Sequence, residues 1–107
     1  MSDDPIKRFA LLVLLQAQAD RATELVISRT GGARSPIRYK VDGIWHDMSP
    51  PPSRILPGVI AEVGRLAAIP EGTFPKEGTI DVPFSARRLR WRVHMTSAES
   101  ECILRPI

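Results

Sequence analysis

Cysteine is nearly absent: Cys102 is the single one in 107 residues. That excludes an intramolecular disulfide and any zinc site built on several cysteines, and it fits a reducing, cytoplasmic setting. Histidine is scarce too. His46 and His94 are far apart in sequence and no Cys or His pair stands at ligand spacing, so no metal is expected. No apolar run approaches the length of a membrane span, and no membrane association is expected. The chain also lacks a Gly-x-x-x-x-Gly-Lys-Ser/Thr phosphate loop; "GGARS" (31 to 35) has no such ending and reads as a turn. There is no internal repeat, and no low-complexity tract beyond the three prolines of "SPPPS" (49 to 53). No nucleophile, metal set or acid–base pair stands out, which argues against an enzyme. Neither histidine has a neighbouring Ser, Cys or carboxylate that marks a triad, and Cys102, set in "ECILR", reads as a buried, inert thiol. No cofactor is expected.

What is present is ordinary for a folded domain. Hydrophobic residues make up 43% and charged residues 25%, so overall disorder is not expected. The length accommodates one core, and residues 1 to 107 read as a single domain. The formal charge of +3 is mild and permits an anionic partner without demanding one.

Near the start, Lys7-Arg8 precede the apolar run Phe9 to Leu15, and Ala17-Gln18-Ala19 has the small-x-small form of a signal cleavage site. The run is short and two acids precede the basic pair. Apolar residues at 6, 9, 10, 13, 14 and 17 have helical spacing, and Pro5 suits a first helical turn. The segment is therefore read as a helix fading near Asp20-Arg21. "TELVIS" (23 to 28) follows with β-branched residues, predicting a strand from Glu24 to Arg29 that ends at Gly31-Gly32.

"RYKVDGIWHDM" (38 to 48) is the most legible stretch. Ile37, Tyr39 and Val41 alternate with Arg38 and Lys40, Asp42-Gly43 signals a two-residue turn, and "IWHDM" returns antiparallel. The proline run that follows is a connector. Ser53 is placed to cap a second helix with apolar residues at 55, 56, 59, 60, 63, 66 and 67, stopped by Pro70 and Gly72. Strands are predicted from Thr79 to Phe84, Arg88 to Met95 and Glu101 to Arg105, with "PKEG" and "SAES" as turns. The order α-β-β-β-α-β-β-β, with hairpin-length joins, predicts an α+β domain whose sheet of about six strands is mostly antiparallel.

The most charged segment, "ARRLRWRVHM" (86 to 95), puts Arg88, Arg90, Arg92 and His94 on one strand face and Leu89, Trp91 and Val93 on the other. A row of guanidiniums suits phosphate or carboxylate, but a solvated face kept charged against edge pairing is the commoner reason for one, and no glycine-rich phosphate loop accompanies it. Trp91 alternates inward, leaving the basic face without an aromatic platform for bases, and no nucleic-acid partner is expected.

Taken in order, "ATELVIS", "PIRYKVDGIWHDM", "FPKEGTIDV" and "LRWRVHMTSAESECILRPI" resemble the domain that precedes the RecA-like core in type II secretion and type IV pilus ATPases, over about residues 6 to 107. The resemblance implies a PAS-like fold, an antiparallel sheet with helices packed against it. In those bacterial motors the domain closes over nucleotide and packs on a neighbouring subunit's core. Ala22-Thr23-Glu24-Leu25 stands where the family tends to have Ala-Ser-Asp-Ile, with Val26 replacing a following His. Arg38, Lys40, Asp42 and Gly43 match an Arg-x-Arg-x-Asp-Gly hairpin, with Lys for the second Arg. Pro75-Lys76-Glu77-Gly78 stands at the family's Pro-Gln-Asp-Gly turn, but Thr79 takes the place of the Arg after it. Arg92 matches the arginine of the next strand and Leu104-Arg105 the closing Leu-Arg pair. Gly72-Thr73 and Glu99-Ser100 depart from the family's basic pair and Gly-Glu, removing groups that would address nucleotide or the core.

The chain reaches Ile107 where the resemblance would lead into Walker motifs, so the expectation is an accessory domain without its motor. Two functional readings follow. One is a non-catalytic interaction or regulatory module that docks on an ATPase core or other protein. The other is a small-ligand or anion-binding domain. Arg38, Lys40, Arg88, Arg90 and Arg92 are the contact residues under either, and no catalytic residue is assigned.

Overall fold

The computed structural model describes residues 4–28, 36–48, 53–69, 76–84, 86–97 and 101–107. Two helices and six strands follow the order α-β-β-β-α-β-β-β: α1 (Pro5–Ala19), β1 (Glu24–Ser28), β2 (Ile37–Val41), β3 (Ile44–Asp47), α2 (Leu56–Leu66), β4 (Lys76–Phe84), β5 (Arg87–Ser97) and β6 (Glu101–Pro106). The strands form one sheet in the order β3-β2-β1-β6-β5-β4, and every pair is antiparallel. The fold is the α+β arrangement expected from the spacing of the apolar residues.

Helix α1 starts where Asp4 accepts hydrogen bonds from the Ile6 and Lys7 N–H groups at 2.9 and 3.4 Å. Pro5 opens it, where its missing N–H costs nothing. Ala10, Val13, Leu14 and Ala17 form its buried stripe. The triplet resembling a cleavage site is therefore the last turn of a packed helix. No helix among the described residues is long and apolar enough to cross a membrane.

Both helices end in the same way. After α1, Arg21 takes φ +59° and the Ala22 N–H donates to the Ala17 carbonyl at 2.9 Å. After α2, Ala68 takes φ +56° and the Ile69 N–H donates to the Gly64 carbonyl at 3.0 Å. These are Schellman closures with non-glycine residues at the left-handed position. They end α2 at Leu66, before Pro70 and Gly72 are reached; both of those lie outside the described residues, as do Arg29, Gly31-Gly32 and the prolines 50 to 52.

At its other end α2 departs from expectation too. Ser53 stands two residues outside the cap position, in a 3₁₀ turn (Ser53–Ile55), and Ile55 caps α2 without a side-chain hydrogen bond. The tighter turn feeds directly into the helix, and Pro57 within the first turn has no N–H to satisfy.

The hairpin of β2 and β3 has the predicted register. Asp42 and Gly43 have φ +51° and +80°, the pair of positive values a two-residue primed turn needs. In β5, Leu89, Trp91, Val93 and Met95 are buried, and they face the helices together with Leu25, Ile27, Ile37, Ile80, Cys102 and Leu104. Trp91 is 0% exposed while the Arg90 side chain is 54% exposed, which settles the register of that strand. Tyr39 and Val41 are half-buried at the periphery of the same face.

One correction concerns "PKEG". Lys76, Glu77 and Gly78 belong to β4, opposite Met95, His94 and Val93, so the strand begins three residues before Thr79. Pro75 lies outside the described residues. Gly78 serves packing instead of turning: a Cβ there would lie 2.6 Å from the Ala67 carbonyl oxygen, where the end of α2 presses on the sheet. Likewise β5 runs on through Ser97, and residues 98–100 lie outside the description.

Candidate functional site

Because α1 and α2 cover one face of the sheet, alternation sends every second residue to the opposite face. The strand registers assemble this open face into rungs. One rung reads Thr79, Arg92, Arg105, Glu24, Lys40 and Trp45, from β4 to β3; the next reads Glu77, His94, Ile103, Val26, Arg38 and Asp47. Val26 and Ile103, both half-buried, lie side by side at the centre of the face on β1 and β6.

All five contact residues expected from the sequence are on this face, in two groups. Arg88, Arg90 and Arg92 share β5, whereas Arg38 and Lys40 share β2. Two strands separate them, so Arg92 and Lys40 stand about 14 Å apart at three strand spacings. They do not converge on one small ligand.

Nor is the row of cations as bare as a single strand implies. Adjacent strands place acids beside it. Arg88 and Arg90 both address Asp81, the second at 3.9 Å. Arg38 donates to Asp47 at 2.8 Å, Arg105 donates to Glu24 at 2.7 Å, and the His94 ring Nδ1 lies 3.2 Å from Glu77. Exposed pairs like these contribute little to stability, about 0 to 1 kcal/mol each, but they offset the charge of the arginines involved. Among the described residues Arg92 makes no ion pair. Lys40 instead lies 5.8 Å from the centre of the Trp45 ring, with the Arg38 guanidinium over the same ring at 5.1 Å.

Trp45 corrects the expectation that the basic face has no aromatic. The signal was in the sequence: a two-residue turn at Asp42-Gly43 puts Val41 opposite Ile44 and therefore Lys40 opposite Trp45. Arg105 and Glu77 were missed as site residues because their roles come from pairing across strands. Together with Arg92, His94 and Ile103 they line a depression of about 420 Å³ on the open face. A second groove, of about 380 Å³, runs between α1 and the β2–β3 hairpin, with Leu12, Phe9 and Met48 in its walls.

Near that groove, Tyr39 Oη donates to the Asp20 carboxylate at 2.8 Å and the Gln16 amide donates to it at 3.0 Å. Hydrogen bonds from Gln16 and Tyr39 hold the Asp20 pKa below its ordinary value, and the bond to Asp20 raises that of Tyr39. His46 packs against the Tyr39 ring at 5.6 Å between centres. Cys102 is buried in the core, and burial pushes its thiol up to about 12. A thiol held so firmly in its protonated form is a packing group.

Neither protein-family models nor curated proteins give a match to the chain.

Proposed function

We propose that this chain is a non-catalytic interaction or regulatory domain whose open sheet face docks on a protein partner. The observation that carries the reading is the pattern on that face. Half-buried Val26 and Ile103 sit at its centre, with Arg38 and Lys40 toward one edge and Arg92 toward the other. An apolar centre with a charged rim is the anatomy of a docking surface. A face whose arginines are mostly paired with acids favours a protein of mixed charge over a polyanion such as nucleic acid, whose binding depends on uncompensated cations. The partner we propose is an ATPase core of the type II secretion or type IV pilus class, in a bacterial cytoplasm. The four motifs that resemble the domain preceding such cores support it, and so does the antiparallel sheet with helices packed against it.

Replacing Arg38, Lys40 and Arg92 together by Ala should weaken binding to a secretion-type ATPase core encoded beside this chain, measured by isothermal titration, while the circular dichroism spectrum stays unchanged. Arg92 and Lys40 should account for most of the loss, since Arg38 is already held by Asp47. Undiminished binding in the triple variant would end the assignment of this face. The same calorimeter tests the non-catalytic part: the isolated chain should neither bind Mg-ATP at micromolar concentration nor turn it over.

The depression beside Arg92 favours a second reading, a small anion held by the protein alone. At about 420 Å³ it is of ligand size. Its walls, however, are exposed side chains on an uncovered sheet, and a partner's surface closes such a site better than a free ligand does.

A further inference from the structure

Arg92 and Arg105 are direct partners across β5 and β6. Like charges directly opposite one another on an antiparallel pair are unfavourable, and the usual remedy is a carboxylate between them. Arg105 has one, Glu24, on its far side at 2.7 Å. Arg92 has none among the described residues: its neighbour on β4 is Thr79, and the nearby Glu77 lies against His94 at 3.2 Å. The two guanidiniums open into the depression floored by Ile103, with Val26 next to it.

We infer that Arg92 and Arg105 form a clamp for one carboxylate of a protein partner, an Asp or Glu side chain followed by an apolar residue that rests on Ile103 and Val26. The inference rests on the docking reading and specifies the chemistry that the face accepts. Charge complementarity selects the occupant. Glu24 is taken up by Arg105 and Glu77 lies against His94, so among the described residues the guanidinium without an ion-pair partner is that of Arg92. A single carboxylate balances it, whereas a phosphate dianion or a nucleic-acid backbone brings more negative charge than the site can match beside two glutamates. The planar fork of a guanidinium fits a carboxylate with two parallel N–H···O bonds, and the apolar floor excludes water from one side of that contact.

The test is a titration of the whole chain, followed by NMR at the arginine Nε–Hε signals, with N-acetyl-Glu-Leu-amide as probe and N-acetyl-Gln-Leu-amide as control. The Glu peptide should shift Arg92, Arg105 and the Ile103 methyls, and the Gln peptide should shift none of them. Arg88, which does not line the depression, should not respond. Arg92→Gln should weaken the response by about tenfold or more, the loss expected for one charge-assisted hydrogen bond. That variant should melt no lower than the parent, since it relieves the like-charge contact, so a lost response is not a lost fold. Equal shifts with both peptides, shifts at Arg38 and Lys40 instead, or tighter binding of inorganic phosphate than of the Glu peptide would each overturn the clamp. No ATPase enters this experiment. A positive titration beside a failed core-binding assay retires only the ATPase partner, and the reverse result retires only the clamp.

Discussion

Gln18 closes the hydrogen-bond ladder of β5 at Arg90. Its side-chain Oε1 accepts the Arg90 N–H at 3.1 Å and its Nε2 donates to the Arg88 carbonyl at 2.7 Å. The pairing of β6 with β5 reaches Trp91 at Pro106, so these backbone groups lie beyond the end of the neighbouring strand. A carboxamide from the last turn of α1 takes the place of the missing strand residue and ties helix to sheet. Gln18→Ala should therefore destabilise the domain by about 1 kcal/mol, the net value of a typical hydrogen bond. Urea unfolding gives that number, and hydrogen exchange at the Arg90 amide should quicken more than elsewhere in β5. Unaltered exchange at Arg90 would show that water replaces the carboxamide without loss.

Ala68 occupies a left-handed position that glycine adopts without a Cβ clash. Ala68→Gly should raise stability by roughly 0.5–1 kcal/mol, the strain removed being partly offset by a more flexible unfolded chain. Thermal unfolding reads the change. A lower midpoint would mean that the closing turn of α2 is less left-handed in solution than this φ requires.

The Asp20–Tyr39 bond joins the end of α1 to β2 and depends on pH at both extremes. Asp20 has a lowered pKa, so its contribution is present above the ordinary carboxylate value of 3.8 and is lost as pH falls through the folded value. Tyr39 has a raised pKa, so its contribution is complete below 10.0 and is lost as pH rises through the folded value. Tyr39 is the single tyrosine, and absorbance at the tyrosinate band therefore reports on it alone. The native midpoint should lie above 10.0 and return toward it in Asp20→Asn. A native midpoint at or below the ordinary value would contradict the bond.

Cys102 should be silent toward a thiol reagent in the native protein at pH 8 and react in full once urea unfolds the chain. Two causes act together: the side chain is buried, and its pKa is pushed up to about 12. The reagent then counts unfolded molecules. Fast labelling under native conditions would show that β6 opens readily beside β1.

Much of this architecture is legible without coordinates, and for local reasons. The stripe 10, 13, 14 and 17 makes α1; alternation in 88 to 95 separates Trp91 from Arg90; Asp42-Gly43 dictates a primed turn and, with it, the register that sets Trp45 beside Lys40. These features depend on residues within a few positions of each other. Helix ends were harder to read, because closures at Arg21 and Ala68 use exposed residues with no strong local preference for a positive φ, held there by the closing hydrogen bonds to the Ala17 and Gly64 carbonyls.

The site was legible only as a list of cations. Arg88, Arg90 and Arg92 on one strand look like an unbroken positive row until β4 brings Asp81 alongside, and Arg105 has no evident role until β6 puts it opposite Arg92 and next to Glu24. The amino-acid sequence determined which face of each strand is charged, since period-two alternation is a property of the chain itself. Only the tertiary structure decided which charges cancel and that Arg92 is left beside a like-charged neighbour. Electrostatic pairing across a sheet joins residues as much as 81 positions apart, and strand order, not sequence distance, sets those contacts.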